Sequence, residues 1–171
     1  MSFTPDTILP DDISELTIEL NNNGLPLFNV ALNANDFPLP LGLQVASPSA
    51  ASMICGNATN YDIEATEGAQ KIGFSIDYMG DGSTCTLTIS VTGSVPGVHP
   101  ATIPIKKVRG TIGTGFAVTN ALSASATLRV LPTMTVSQQF MPAIISARDQ
   151  SLLTITLSAP DADGGDRAGG G

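Results

Sequence analysis

The sequence predicts an all-β, antiparallel sandwich, and three observations lead to that expectation. Apolar and polar residues alternate at period two in segment after segment, clusters of Gly, Pro, Asn and Asp interrupt them, and no stretch sustains an i, i+3, i+4 apolar stripe. Composition points the same way. Only 13% of residues are charged, and the apolar positions are carried by Val, Ile, Leu and Ala among many Thr, Ser, Asn and Gly, a mixture that favours strands and turns.

Taken in chain order, Leu16, Ile18 and Leu20 alternate with Thr17 and Glu19, so this segment reads as a half-buried strand. The cluster Asn21-Asn22-Asn23-Gly24 ends it, supplying residues that tolerate positive φ. Val30 and Leu32 mark a second strand, and Pro38 to Gly42 a reversal. Ile72, Phe74 and Ile76 form a third, closed by Gly80-Asp81-Gly82-Ser83. Leu87, Ile89 and Val91 form a fourth, closed by Val95-Pro96-Gly97. Alternation resumes from Leu122 through Val130. The segment Val118 to Leu128 comes nearest to a helical pattern, but its Ser, Thr and Ala suit a strand equally, so almost no helix is expected. Short strands punctuated this often indicate a sandwich.

The chain also repeats itself. Phe3-Thr4-Pro5-Asp6-Thr7-Ile8 and Ser14-Glu15-Leu16-Thr17-Ile18-Glu19-Leu20 return as Phe140-Met141-Pro142-Ala143-Ile144-Ile145 and Ser151-Leu152-Leu153-Thr154-Ile155-Thr156-Leu157, at a constant offset of 137. Without a gap, nine of the eighteen columns from residue 3 to residue 20 are identical. This divides the chain into a complete unit over 1–132, the opening strands of a second unit over 133–160, and an acidic, Gly-rich tail over 161–171 expected to be flexible. At 171 residues and 17.5 kDa, one well-cored domain plus an appendage is the natural size.

Charge and hydropathy exclude several classes of function. A net charge of −8, with seven Lys and Arg spread thinly, offers no basic stripe for a phosphate backbone, so nucleic acid is not an expected partner. No apolar run approaches the length that spans a bilayer, and Met1 to Asp6 lacks the basic and apolar regions of a signal peptide. The low-Lys, Thr- and Asn-rich composition nevertheless looks secreted, so an extracellular or cell-surface location is expected. In that compartment Cys55 and Cys85 are expected to form a disulfide, the alternative being two buried free thiols.

Several motifs resemble the tandem bacterial surface repeats of the DUF-eleven type, a group of modules of unknown individual function. The similarity begins with Phe3, Pro5 and Ile8 leading into Leu16 to Leu20, and again with Phe140 to Leu157. It continues through Asp36 to Leu43, Cys55-Gly56 and the Gly80 to Thr88 turn and strand. Pro96-Gly97, Ile103-Pro104, and Val118-Thr119-Asn120-Ala121 through Val130 complete it. Asp11-Asp12 and Asn21-Asn22 depart from the family pattern, both in turns. The resemblance implies an Ig-like antiparallel β-sandwich with Greek-key connections, plus a C-terminal strand segment from a partial second repeat.

Residues that carry chemistry are scarce. The single histidine, His99, lies in Pro96-Gly97-Val98-His99-Pro100 without a nucleophile motif nearby and is read as an ordinary loop residue. One His and two Cys do not make a tetrahedral zinc site, and no Gly-rich phosphate loop is present. Asp161, Asp163 and Asp166 around Gly164-Gly165 are weak calcium candidates that lack the distal Glu of a calcium loop. Asp11-Asp12 is a second weak candidate, for calcium at a junction between modules. Lys71, Lys106 and Lys107 are read as exposed rather than as isopeptide partners of Asn120. No cofactor is expected, calcium apart, and no catalysis.

Two functions follow as expectations. One is a structural stalk, adhesin or matrix module, whose partners are neighbouring repeats. The other is a self-assembling filament subunit in which 133–160, through Phe140, Ile145, Leu153, Ile155 and Leu157, complements an identical subunit by strand addition. Carbohydrate or protein binding through the loops finds less support, since two Tyr and no Trp leave few aromatic platforms.

Overall fold

A computed structural model describes residues 1–113 and 115–159. Among them the chain forms fifteen strands: β1 (Ser2–Thr4), β2 (Thr7–Ile8), β3 (Ile13–Asn21), β4 (Leu27–Leu32), β5 (Leu43–Val45), β6 (Ser52–Cys55), β7 (Ala58–Glu64), β8 (Gly73–Met79), β9 (Thr84–Gly93), β10 (Gly97–Ile103), β11 (Val108–Ile112), β12 (Phe116–Thr119), β13 (Ala124–Val130), β14 (Thr135–Met141) and β15 (Leu152–Ser158). One 3-10 turn, Ala34–Asp36, is the only helical element among the described residues. The architecture is all-β and sandwich-like, as the alternation and turn chemistry predict.

Three sheets build the body. In the first, β1 pairs with β3, β3 with β9, and β9 with both β5 and β6. The second runs β10-β13-β2, and the third β12-β11-β4-β8-β7. Their inner faces meet in one core: Leu16, Ile18, Leu87, Ile89 and Val91 from the first sheet, Ala101, Ile103, Leu128 and Val130 from the second, Val30, Leu32, Phe74 and Ile76 from the third. Phe37 and Leu39, from the loop after the 3-10 turn, join the same cluster. The period-two pattern is the cause, because alternate side chains project to one face and only that face is apolar.

β9 shows this most clearly. Cys85, Leu87, Ile89 and Val91 are buried while the Thr and Ser between them are only partly covered, and both edges of the strand are paired. Gly93 ends it where a Cβ would fall 2.6 Å from Leu43 Cδ2 and 2.9 Å from Val130 Cγ2. The pairing is antiparallel apart from β2 with β13, where Thr7 and Ile8 lie parallel to Arg129 and Val130. The opening segment therefore changes partners, from β3 on the first sheet to β13 on the second, within a few residues.

His99 differs from the expectation. It lies within β10 opposite Leu128, is buried, and its Nε2 sits 2.8 Å from the Val95 carbonyl oxygen. The chain bends at Val95, but β10 already begins at Gly97, inside the segment that the loop reading covered. Pairing with β13 then draws the histidine into the sheet.

Candidate assembly surface

Among the described residues the hairpin of β14 and β15 pairs with no other strand, and every residue in both strands is exposed. Its register sets Phe140 opposite Leu153, Gln138 opposite Ile155 and Val136 opposite Leu157. Alternation then collects these side chains on one face and Thr135, Ser137, Gln139, Thr154, Thr156 and Ser158 on the other, with Met141 and Leu152 at that second face's turn end. Val136 was not among the residues picked from the sequence. The period-two series Val136, Gln138, Phe140 is the signal that extends the strand back to it.

This hairpin reproduces the opening hairpin of the body. Ser2, Phe3 and Thr4 face Thr17, Leu16 and Glu15, and Gln139, Phe140 and Met141 face Thr154, Leu153 and Leu152, each pair displaced by 137. Ser14 Oγ donates to the Pro5 carbonyl at 2.6 Å, and Ser151 Oγ to the Pro142 carbonyl at 2.6 Å. The Leu9 N–H donates to Asp12 Oδ2 at 3.2 Å, and the Ser146 N–H to Asp149 Oδ2 at 3.2 Å. Asp11 and Arg148, equivalent positions in the two turns, both have positive φ.

Burial separates the two copies. Phe3, Leu16 and Ile18 are 6%, 0% and 2% exposed, whereas Phe140, Leu153 and Ile155 are 52%, 42% and 58% exposed. Ile145 and Leu157 are exposed as well. In the first copy the core covers this face and β9 pairs along the free edge of β3, from Ile13 with Thr92 to Asn21 with Thr84. The face and edge of β15 have no such partner among the described residues.

Elsewhere the sequence candidates have structural surroundings. Cys55 and Cys85 lie opposite each other on β6 and β9 and are joined by a disulfide. This ties the short β6 to the strand at the centre of its sheet. Asp36 accepts from Lys107 Nζ at 2.6 Å, with Arg109 Nη2 4.0 Å away, linking the 3-10 turn to β11. The Lys107 hydrogen bond holds the Asp36 carboxyl below its ordinary range; burial opposes it, and the charges of Lys107 and then Arg109 add to the lowering.

Asn120 accepts from the Lys107 and Val108 N–H groups and donates to the Pro104 and Leu122 carbonyls, pinning two loops together. It meets the backbone of Lys107, whereas the lysine ammonium reaches Asp36. Lys71 Nζ lies 3.8 Å from Glu64 and is half exposed. Asp12 is engaged by the Leu9 N–H in the turn before β3. Asp161, Asp163 and Asp166 lie outside the described residues. Among the described residues no group of three or more His, Cys, Asp or Glu converges on one point, and no helix is long and apolar enough to cross a membrane.

Two surface features had no forecast. An apolar cleft of about 310 Å³ opens between Leu20, Leu27, Val30, Met79, Val108 and Val118. Phe28 and Tyr78 meet with ring centroids 5.4 Å apart and planes tilted by 59°, beside Leu25 and Ile112. Both depend on which strands become neighbours, which the alternation alone does not reveal.

Comparison with known proteins adds one finding. A family described as a domain of unknown function (DUF7933) matches residues 1–130, the body from its first strand to the end of β13. No curated protein and no solved structure matches the chain. The match lies in DUF7933 rather than in the DUF-eleven type whose motifs the chain resembles, and since it spans most of the sequence, the chain belongs to the DUF7933 family.

Proposed function

We propose that the chain is a non-enzymatic structural module of an extracellular surface protein, serving as a stalk, adhesin or matrix repeat of the Ig-like kind found in DUF-eleven-type arrays. The observation that carries the reading is the recurrence of the opening hairpin, register for register, 137 residues further on. A chain that begins the same fold twice is organised as a series, and spacing is the work that a series of modules does. The Cys55–Cys85 disulfide supports the compartment, since such bridges persist where the surroundings are oxidising.

A load-bearing spacer should resist extension until it fails as a unit. Single-molecule force spectroscopy of residues 1–171 between handles tests this. The expected result is one discrete rupture for the body, with a length gain that grows on reduction. The bridge closes a separation of 30 residues, so reduction releases about 100 Å of additional chain. Gradual extension without a rupture would overturn the reading. A second reading, a filament subunit complementing its neighbour through 133–160, draws on the exposed apolar face of that hairpin.

A further inference from the structure

We propose that the apolar face and free edge of the β14–β15 hairpin form a docking surface for a second module body, equivalent to residues 22–130 and joined in series on the same polypeptide. The inference rests on the structural-module reading and names the partner of its second hairpin. In the first copy, one and the same body satisfies both needs of the opening hairpin. Its core covers Phe3, Leu16 and Ile18, and its β9 supplies the hydrogen bonds along β3. Phe140, Leu153 and Ile155 repeat those side chains in the same register, and Ser151 repeats the hydrogen bond that holds the turn. An exposed apolar face on a free strand edge is costly, and a partner that meets both requirements is favoured over one that meets either.

Two other occupants fit less well. Packing two hairpins face to face, one from each of two copies, would cover Leu153 and Ile155 but leave the edge of β15 without backbone partners. Inserting the hairpin into a complete second copy would require that copy to release residues 2–21. An equivalent apolar face would then be exposed in exchange, so nothing is gained. A body whose opening place is vacant escapes both objections. Apart from Pro160, residues 159–171 contain no apolar side chain larger than Ala, so they do not supply that body themselves. They do not prevent it from docking either. As a longer loop in place of the Asn22–Pro26 turn, they lower the docking equilibrium only about fivefold, because closure entropy grows with the logarithm of loop length.

The test appends residues 22–132 of this chain to the intact 1–171 sequence and follows amide exchange across 151–158. The expected result is a monomer in which these amides slow by about a hundredfold or more relative to the parent chain, approaching the protection of 14–21. In the same fusion, Leu153→Asp with Ile155→Asp should abolish that protection while leaving 14–21 unchanged. Equal exchange in parent and fusion would overturn the proposal, as would an appended body that stays unfolded. A parent chain that dimerises and already protects 151–158 would overturn it in favour of a second copy. Rupture of the first body is read separately, so failure here leaves the spacer reading standing and failure there leaves this one.

Discussion

Leu16 and Leu153 occupy equivalent places in two hairpins of matching register, so the same substitution at each separates the effect of burial from that of local sequence. Leu16 is fully buried, facing Ile89 across the β3–β9 ladder. Leu16→Ala removes apolar groups worth about 2 kcal/mol in transfer and leaves a cavity whose walls collapse only in part, for a total of about 3 kcal/mol. With a urea dependence of about 2 kcal/mol per molar, the unfolding midpoint should fall by about 1.5 M. Leu153→Ala, on a face 42% exposed at that residue, should shift it by no more than about 0.25 M. Tyr61 on β7 and Tyr78 on β8 make tyrosine fluorescence a probe of the body, and far-UV circular dichroism checks that the transition is cooperative. Equal shifts at the two sites, or a loss at Leu16 below about 1 kcal/mol, would refute the claim that tertiary cover distinguishes the two copies.

Replacing both Cys55 and Cys85 with Ala should cost about 3 to 4 kcal/mol for a loop of this length in the chain-entropy account, read as a lower thermal midpoint without loss of the strand spectrum. Gly73→Ala should destabilise the body by about 1 to 3 kcal/mol, because its Cβ would lie 2.8 Å from Ala34 N and 2.9 Å from Leu32 O, backbone atoms with little room to yield. Gly24→Ala, where a Cβ meets nothing within 4 Å, is the control in the same denaturation assay. The Asp36 carboxyl, titrated by NMR, should show a midpoint below 3.8 that rises toward that value in Lys107→Met. Since the folded group titrates below the unfolded one, its contribution is complete above about pH 4 and is lost as pH falls through the folded value. An unchanged midpoint in the variant would remove Lys107 as the cause.

Much of the fold was legible because its cause is local. The alternation at Leu16 to Leu20, Phe74 to Ile76 and Leu87 to Val91 assigns each side chain to a face, and Gly80 to Ser83 and Val95 to Gly97 carry the turn residues that end strands. His99 was misplaced because Pro96 and Gly97 signal a turn but do not say where pairing resumes. That was set by Leu128 on a strand some thirty residues away. The cleft beside Leu20 and the Asp36–Lys107–Arg109 group were hidden for the same reason, since each joins segments that meet only when the sheets assemble.

The sequence by itself determined that the chain is built of strands, where most of them turn, which cysteines could pair, and that its opening hairpin is written twice, since these follow from side-chain period, turn chemistry and identity at a fixed offset. Only the tertiary structure decided that one copy of that hairpin is covered and the other bare. Leu16 and Leu153 sit in almost the same local sequence, and burial of the first comes from β9 and the facing sheets, whereas among the described residues no such elements lie against the second.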